Sequence, residues 1–278
     1  MEPAGKSREK VLSVAIGGFG AVGRRVAEAI DGGRIKALRL VAVSARDVKK
    51  AEGAMSGFLR PPPVLPLVEL AGLADIVVEC APAAVFECIA RPALEAGRTL
   101  VVVSVGALLG RESLIDLAER QGARIIVPSG ALLGLDAVTA AAEGTIRRVR
   151  MVTRKPVRGL IGAPYLEEHG IDLGGLAEPK RVFEGTAREA ARGFPANLNV
   201  AAALSLAGIG AERTRVEIWA DPALERNVHE IHVEADSASF RMQIENIPSE
   251  ENPRTGKITA LSVIAALRKL AGPLRVGT

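Results

Sequence analysis

Apolar residues follow two different rhythms along the 278-residue chain. In the first half, short and largely apolar runs at residues 11–16, 38–43, 74–82, 99–106 and 124–131 are rich in valine, isoleucine and leucine. They are too short for helices, and their lack of alternation predicts strands buried on both faces. Helical spacing fills the gaps. Val22, Val26, Ala29 and Ile30 share one face, residues 86–96 form a helix closed by Gly97, and residues 112–121 form another. Strand and helix in alternation predict a doubly wound parallel sheet, with its last strand over 124–131. Residues 57–66, with a triple proline, read as an irregular connection.

From about Gly144 the rhythm changes. A long strand over 145–153 is followed by a loop-rich region, a short strand over 181–185 and a helix over 186–192. A small-residue helix over 200–207 precedes three alternating runs, 214–220, 227–234 and 239–247. Strict alternation predicts strands with one buried and one wet face, hence a mainly antiparallel sheet. A last helix opens at Asn252-Pro253, aligns Ile258, Leu261, Ile264, Leu267 and Leu270, and stops at Gly272-Pro273.

The first strand runs into Gly18-Phe19-Gly20-Ala21-Val22-Gly23, and this turn opens the first helix. Gly18, Gly20 and Gly23 fit the G-x-G-x-x-G dinucleotide fingerprint in the strand–turn–helix context it requires. Gly18 makes the turn, Gly20 admits a pyrophosphate to the backbone, and Gly23 lets helix and strand pack closely. The helix N-terminus offers free N–H groups to phosphate. Ligands of such sheets lie beyond the carboxyl ends of the strands, so Cys80-Ala81, residues 104–107 and residues 129–131 are the expected floor of the site. The fold class is therefore α/β: a Rossmann doubly wound sheet over 1–135, then an α+β substrate domain over 136–252. The second strand ends in Ser44-Ala45-Arg46-Asp47, without the acidic residue that takes the ribose of NAD. Arg46 could hold a 2′-phosphate and Asp47 could reach a ribose, so NAD and NADP both stay open as cofactor.

The net charge of +4 is mild and its basic residues are scattered; it could favour anionic ligands but is poor evidence for nucleic acid, which is not expected as a partner. No run approaches the ~18 apolar residues of a membrane span. Lys6, Arg8 and Lys10 before an apolar stretch loosely imitate a signal peptide, but the glycines and Arg24-Arg25 favour the fingerprint. A cytoplasmic location is expected. Cys80 and Cys88 have neither zinc-site nor disulfide-framework spacing, and no metal constellation is visible. Of the three histidines, His232 falls among glutamates and His169 lies in a polar loop. His229 shares the apolar parity of its strand with Ile231 and Val233. It is the acid/base candidate by elimination, with a core histidine satisfied by one hydrogen bond as the equal alternative. Arg154 and Lys155, at a strand end, are candidate carboxylate binders or solvated charges.

Several longer stretches carry a resemblance. They are Pro128-Ser129-Gly130-Ala131, Phe194-Pro195-Ala196-Asn197-Leu198-Asn199-Val200-Ala201, Ala220-Asp221-Pro222, Arg226-Asn227-Val228-His229-Glu230-Ile231 and Glu250-Glu251-Asn252-Pro253-Arg254-Thr255. With the glycine fingerprint they resemble the L-aspartate dehydrogenases of NAD biosynthesis. The resemblance implies a Rossmann domain, a substrate domain of the dihydrodipicolinate-reductase type and a C-terminal helix, 253–278, returning to the first domain. It implies oxidation of L-aspartate by NAD or NADP to iminoaspartate, with His229 as the active-site residue. Ala131 and Asn199 match dinucleotide-contacting positions of that family, and Asn197 joins Arg154 and Lys155 as a substrate candidate. An exposed antiparallel sheet suggests a homodimer through the second domain. A dihydrodipicolinate reductase, a homoserine dehydrogenase and a non-catalytic NAD(P)-binding sensor are the alternatives; a glyceraldehyde-phosphate-type dehydrogenase would need a cysteine nucleophile, for which neither Cys80 nor Cys88 is obviously placed.

Overall fold

The structure, a computed structural model, describes residues 11–195, 198–252 and 255–277. Two compact units emerge. One runs to Val101 and adds Leu117–Ile126 and Ile264–Arg275; the other holds Val102–Asp116 and Val127–Val263.

The first unit is built on β1 (Leu12–Gly17), α1 (Ala21–Asp31), β2 (Leu38–Ser44), α2 (Val48–Ala54), α3 (Leu70–Leu73), β3 (Ile76–Glu79), α4 (Phe86–Glu95), β4 (Thr99–Val102) as far as Val101, the second half of α5 (Glu112–Arg120) and β5 (Arg124–Ile126). Its five strands form a parallel sheet in the order β2-β1-β3-β4-β5. Val14, Ala15, Ile16, Val77 and Val78 are fully buried, as uninterrupted apolar runs require. The chain leaves β1 for β2 on one side and returns to β3 on the other, so the carboxyl ends of β1 and β3 flank the switch point where ligands bind. Three features differ from the sequence pattern. The short helices α2 and α3 lie in segments that the apolar pattern leaves unassigned, and β5 ends at Ile126 rather than residue 131. Pro128 has no N–H for a ladder, and Leu132 N closes a turn onto Ser129 O at 3.0 Å.

The second unit contains α6 (Leu135–Ala142), β6 (Ile146–Lys155), α7 (Pro164–Glu168), β7 (Lys180–Thr186), α8 (Ala187–Gly193), α9 (Asn199–Ala207), β8 (Thr214–Ala220), β9 (Val228–Ala235), β10 (Ser239–Glu245) and the first half of α10 (Lys257–Ala271). Its sheet runs β10-β9-β6-β8-β7. All its pairings are antiparallel except β6 with β8, which are separated by α7, β7, α8 and α9 and so have the crossover that a parallel pair needs. One face of the sheet joins a core that includes Met151, Leu160, Phe194, Leu204, Ile218 and Ile231.

The compact units divide the chain elsewhere than at residues 135 and 136. Residues 102–116 and 127–135 belong to the second unit because their hydrogen bonds go there. Gly106 N donates to Asn199 Oδ1 (3.0 Å), Arg188 pairs with Glu112 (3.1 Å), and Gly130 N donates to Ser262 Oγ (3.0 Å). The division also runs through α10, so that only Ile264–Arg275 of the C-terminal segment is assigned to the first unit. Among the described residues no helix is long and apolar enough to cross a membrane.

Candidate active site

In the first unit the three fingerprint glycines have different reasons to be glycine. Gly18 has φ +104°, and a Cβ there would stand 2.6 Å from Cys80 O. A Cβ on Gly23 would stand 2.0 Å from Gly18 O. Both are demanded by the chain's own packing. Gly20 is not: its φ of −84° and ψ of −163° suit any residue, and nothing lies within 4 Å of a Cβ built on it. The open space at Gly20 heads a helix with no side-chain cap and no acidic residue in its first turn. That is the cradle a pyrophosphate fills, so the residues present fit a dinucleotide.

Around this turn, Phe19, Ala21 and Val22 are half-buried. Ala81 is buried and its N–H donates to Oε1 of the buried Glu79 at 2.9 Å, which fixes the end of β3. Burial and then the Glu79 charge push the Cys80 thiol well above its ordinary pKa. It is therefore held as a thiol and is no nucleophile of the glyceraldehyde-phosphate-dehydrogenase kind. Cys88 is exposed. Arg46 is exposed beyond β2 and makes no ion pair among the described residues. Asp47 has a structural task instead of a ribose: its Oδ1 accepts from Lys50 N (3.0 Å) as the N-cap of α2.

In the second unit, alternation along β9 buries His229, Ile231, Val233 and Ala235. His229 is 2% exposed and stands directly opposite Thr153 of β6, with Nδ1 3.2 Å from Thr153 Oγ1. Lys155, two residues further along β6, shares that face and is 4% exposed. Burial, then the Lys155 charge, pushes the His229 pKa down to about 3. Burial lowers the Lys155 pKa to about 8. At neutral pH the face thus carries an uncharged imidazole and, beside it, a buried ammonium. When Nδ1–H donates to Thr153 Oγ1, the lone pair of Nε2 is left to accept a proton.

The other candidates scatter. Arg154 points to the opposite side of the sheet, its guanidinium carbon 4.8 Å from the centre of the Trp219 ring. Adjacent residues of a strand face opposite ways, so Arg154 and Lys155 cannot act together. His232 is also on that side, 2.6 Å from Glu230 Oε1, and exposed His169 stacks on Tyr165. Asn199 heads α9, where its Oδ1 accepts from Gly106 N; Ala131 O accepts from Asn246 Nδ2 at 3.0 Å. Asn197 lies outside the described residues.

Residues 136–270 match the family described as aspartate dehydrogenase, C-terminal, and residues 18–128 match the homoserine dehydrogenase NAD binding domain. L-aspartate dehydrogenase of Bradyrhizobium diazoefficiens is 60% identical over 96% of this chain and 94% of its own length. The chain belongs to the L-aspartate dehydrogenase family. L-aspartate dehydrogenase 3 of Bordetella bronchiseptica is 55% identical over 98% of this chain and 99% of its own. The crystal structure of aspartate dehydrogenase from Thermotoga maritima superimposes with a TM-score of 0.70 at 26% identity, covering 96% of this chain and 99% of that one. The family and the NAD binding domain indicate NAD(P) as cofactor. Two buried polar residues of the second unit escaped the sequence pattern: Thr153, legible only through cross-strand pairing, and Asn246, whose surroundings depend on the Ala131 loop.

Proposed function

We propose that the chain oxidises L-aspartate to iminoaspartate with NAD(P), and that the imine is then released to NAD biosynthesis or hydrolysed to oxaloacetate and ammonia. The observation that carries this reading is the neutral, buried His229 beside the Lys155 ammonium on one face of β6 and β9, in a chain of this family. Lys155 binds a substrate carboxylate. Nε2 of His229 takes a proton from the substrate ammonium, which leaves the amine whose lone pair can form the C=N bond as hydride departs from Cα. NAD(P)+, when bound, supplies the hydride acceptor. Burial is the main cause of the low His229 proton affinity; a dicarboxylate bound against Lys155 offsets the second cause, the lysine charge, and so raises that affinity. The same imidazole can later activate water on the imine.

Two further readings belong with this one. The polar side of the second unit's sheet carries the Arg148–Glu234 (2.5 Å) and Arg150–Glu217 (2.6 Å) pairs and half-buried Trp219. Such a mixed-charge face is suited to self-complementary pairing across a two-fold axis, and a homodimer is the assembly it favours. A cytoplasmic location agrees with two free thiols. The activity is tested by following NADH and NADPH formation with L-aspartate, D-aspartate, glutamate and alanine supplied separately. Reduction with L-aspartate alone is expected; preference for any other substrate overturns the assignment.

A further inference from the structure

The buried face that carries His229 continues past it. Ile244 of β10 stands opposite His229, and two residues on, Asn246 N donates to Asn227 O at 2.9 Å. A cavity of about 270 Å³ opens there, with Pro156, Arg158, Asn227, Asn246 and Gly256 among its walls. That is room for a small metabolite rather than a drug-sized ligand.

Asn246 is 3% exposed. Its amide orientation is fixed because Nδ2 donates to Ala131 O, and its Oδ1 is buried without a hydrogen-bond partner. Buried acceptors are rarely left unmade, and an orphan of this kind calls for a donor from outside the chain. Gly256 packs close to the same group: the atoms nearest to a Cβ built there all belong to Asn246, with Oδ1 at 3.0 Å, so a side chain at 256 would crowd that oxygen. The cavity also has a cation. Exposed Arg158 spends one Nη2 contact on Glu225 O (3.1 Å), and a guanidinium has further donors with which to grip a carboxylate.

An acceptor and a guanidinium lining one cavity are the complement of an amino acid with an extra carboxylate. We propose that this cavity is the substrate's anchoring site: Asn246 Oδ1 accepts a hydrogen bond from the substrate nitrogen, and Arg158 binds the carboxylate distal to the one on Lys155. The inference rests on the aspartate reading above, and it adds two substrate-contacting residues to it.

Succinate carries both carboxylates of aspartate and no nitrogen, so it separates the two contacts. Asn246→Ala is expected to raise the KM for L-aspartate about tenfold or more, since the lost bond is to a charged donor. It should leave the inhibition constant of succinate within about twofold. Arg158→Ala should weaken aspartate and succinate alike, by about tenfold. NADH affinity, read by fluorescence titration, should be unchanged in both variants. Equal weakening of aspartate and succinate in Asn246→Ala would mean that the Ala131 tether, not the acceptor, was lost, and this overturns the proposal. So does no change in either. If Asn246→Ala does not fold, undiminished succinate inhibition in Arg158→Ala overturns it alone. A wild-type protein that does not oxidise aspartate, yet binds it by calorimetry with the same Asn246-dependent preference over succinate, removes the reaction and keeps the site.

Discussion

Replacing Lys155 with methionine removes one buried ammonium while keeping most of the stem's volume. Burial lowers the lysine pKa from 10.5 to about 8. At about 1.4 kcal/mol per tenfold change in proton affinity, the folded protein disfavours the charged lysine by about 3 kcal/mol. The unfolded chain keeps the proton up to about pH 10.5 and the folded chain releases it near pH 8, so the unfolded state carries the extra proton between those values. Stability of the wild type therefore rises across that window, and the full penalty stands below pH 8. Lys155→Met should be more stable than wild type by up to about 3 kcal/mol at pH 7, and the difference should shrink toward zero by pH 10.5. Function should move the other way, with the KM for L-aspartate raised tenfold or more and NADH affinity unchanged. Urea unfolding of both proteins at pH 7 and pH 10.5, with matched m-values, reads the first effect. A loss of stability at pH 7, or a gain that does not depend on pH, refutes the claim that the ammonium is held against a desolvation penalty. An unchanged KM removes Lys155 from the substrate.

Other expectations concern the dinucleotide turn of the first unit and the assembly of the chain. Gly20→Val should raise the dissociation constant of NADH while circular dichroism and unfolding stay at wild type. Gly23→Ala, whose methyl would meet Gly18 O at 2.0 Å, should lower the melting temperature as well. Arg46→Ala should weaken NADP much more than NAD in the same titration; a uniform loss would mean that it does not read the 2′-phosphate. Light scattering at micromolar concentration should return twice the 29.1 kDa chain mass, and the chain mass itself would end the dimer assignment.

Much of this site was legible because period two leaves a strand no choice of face. Once residues 227–234 are read as a strand, His229 must join Ile231 and Val233, and His232 must join the glutamates; the burial along β9 follows that pattern. The fingerprint was legible for a similar reason, since few contexts other than a phosphate turn place three glycines between such a strand and such a helix. Parity failed where the end of the strand was misplaced. With β6 expected to stop at Thr153, Arg154 and Lys155 looked like a pair at a loop, whereas the strand runs through Lys155 and turns Arg154 onto Trp219. Asp47 shows a different limit. A carboxylate after β2 can serve a ribose or a helix, and α2, with a weak apolar pattern of its own, decides for the helix. α6 is apolar on most sides and has no periodicity to read, and α7 is too short to show one. Thr153 and Asn246 depend on which strands and loops become neighbours, and local sequence does not encode that.

The central claim is that His229 moves the substrate's proton, and His229→Asn tests it most directly. The account predicts that kcat with L-aspartate falls by roughly 10²–10⁴-fold, the span of general acid–base catalysis, while NADH affinity and the unfolding midpoint stay close to wild type. His232→Ala, on the opposite face, should keep wild-type kcat. If folded His229→Asn instead turns over aspartate near the wild-type rate and loses about 1–3 kcal/mol of stability, as an unpaired buried partner would cause, the histidine is a core residue and the mechanism is contradicted.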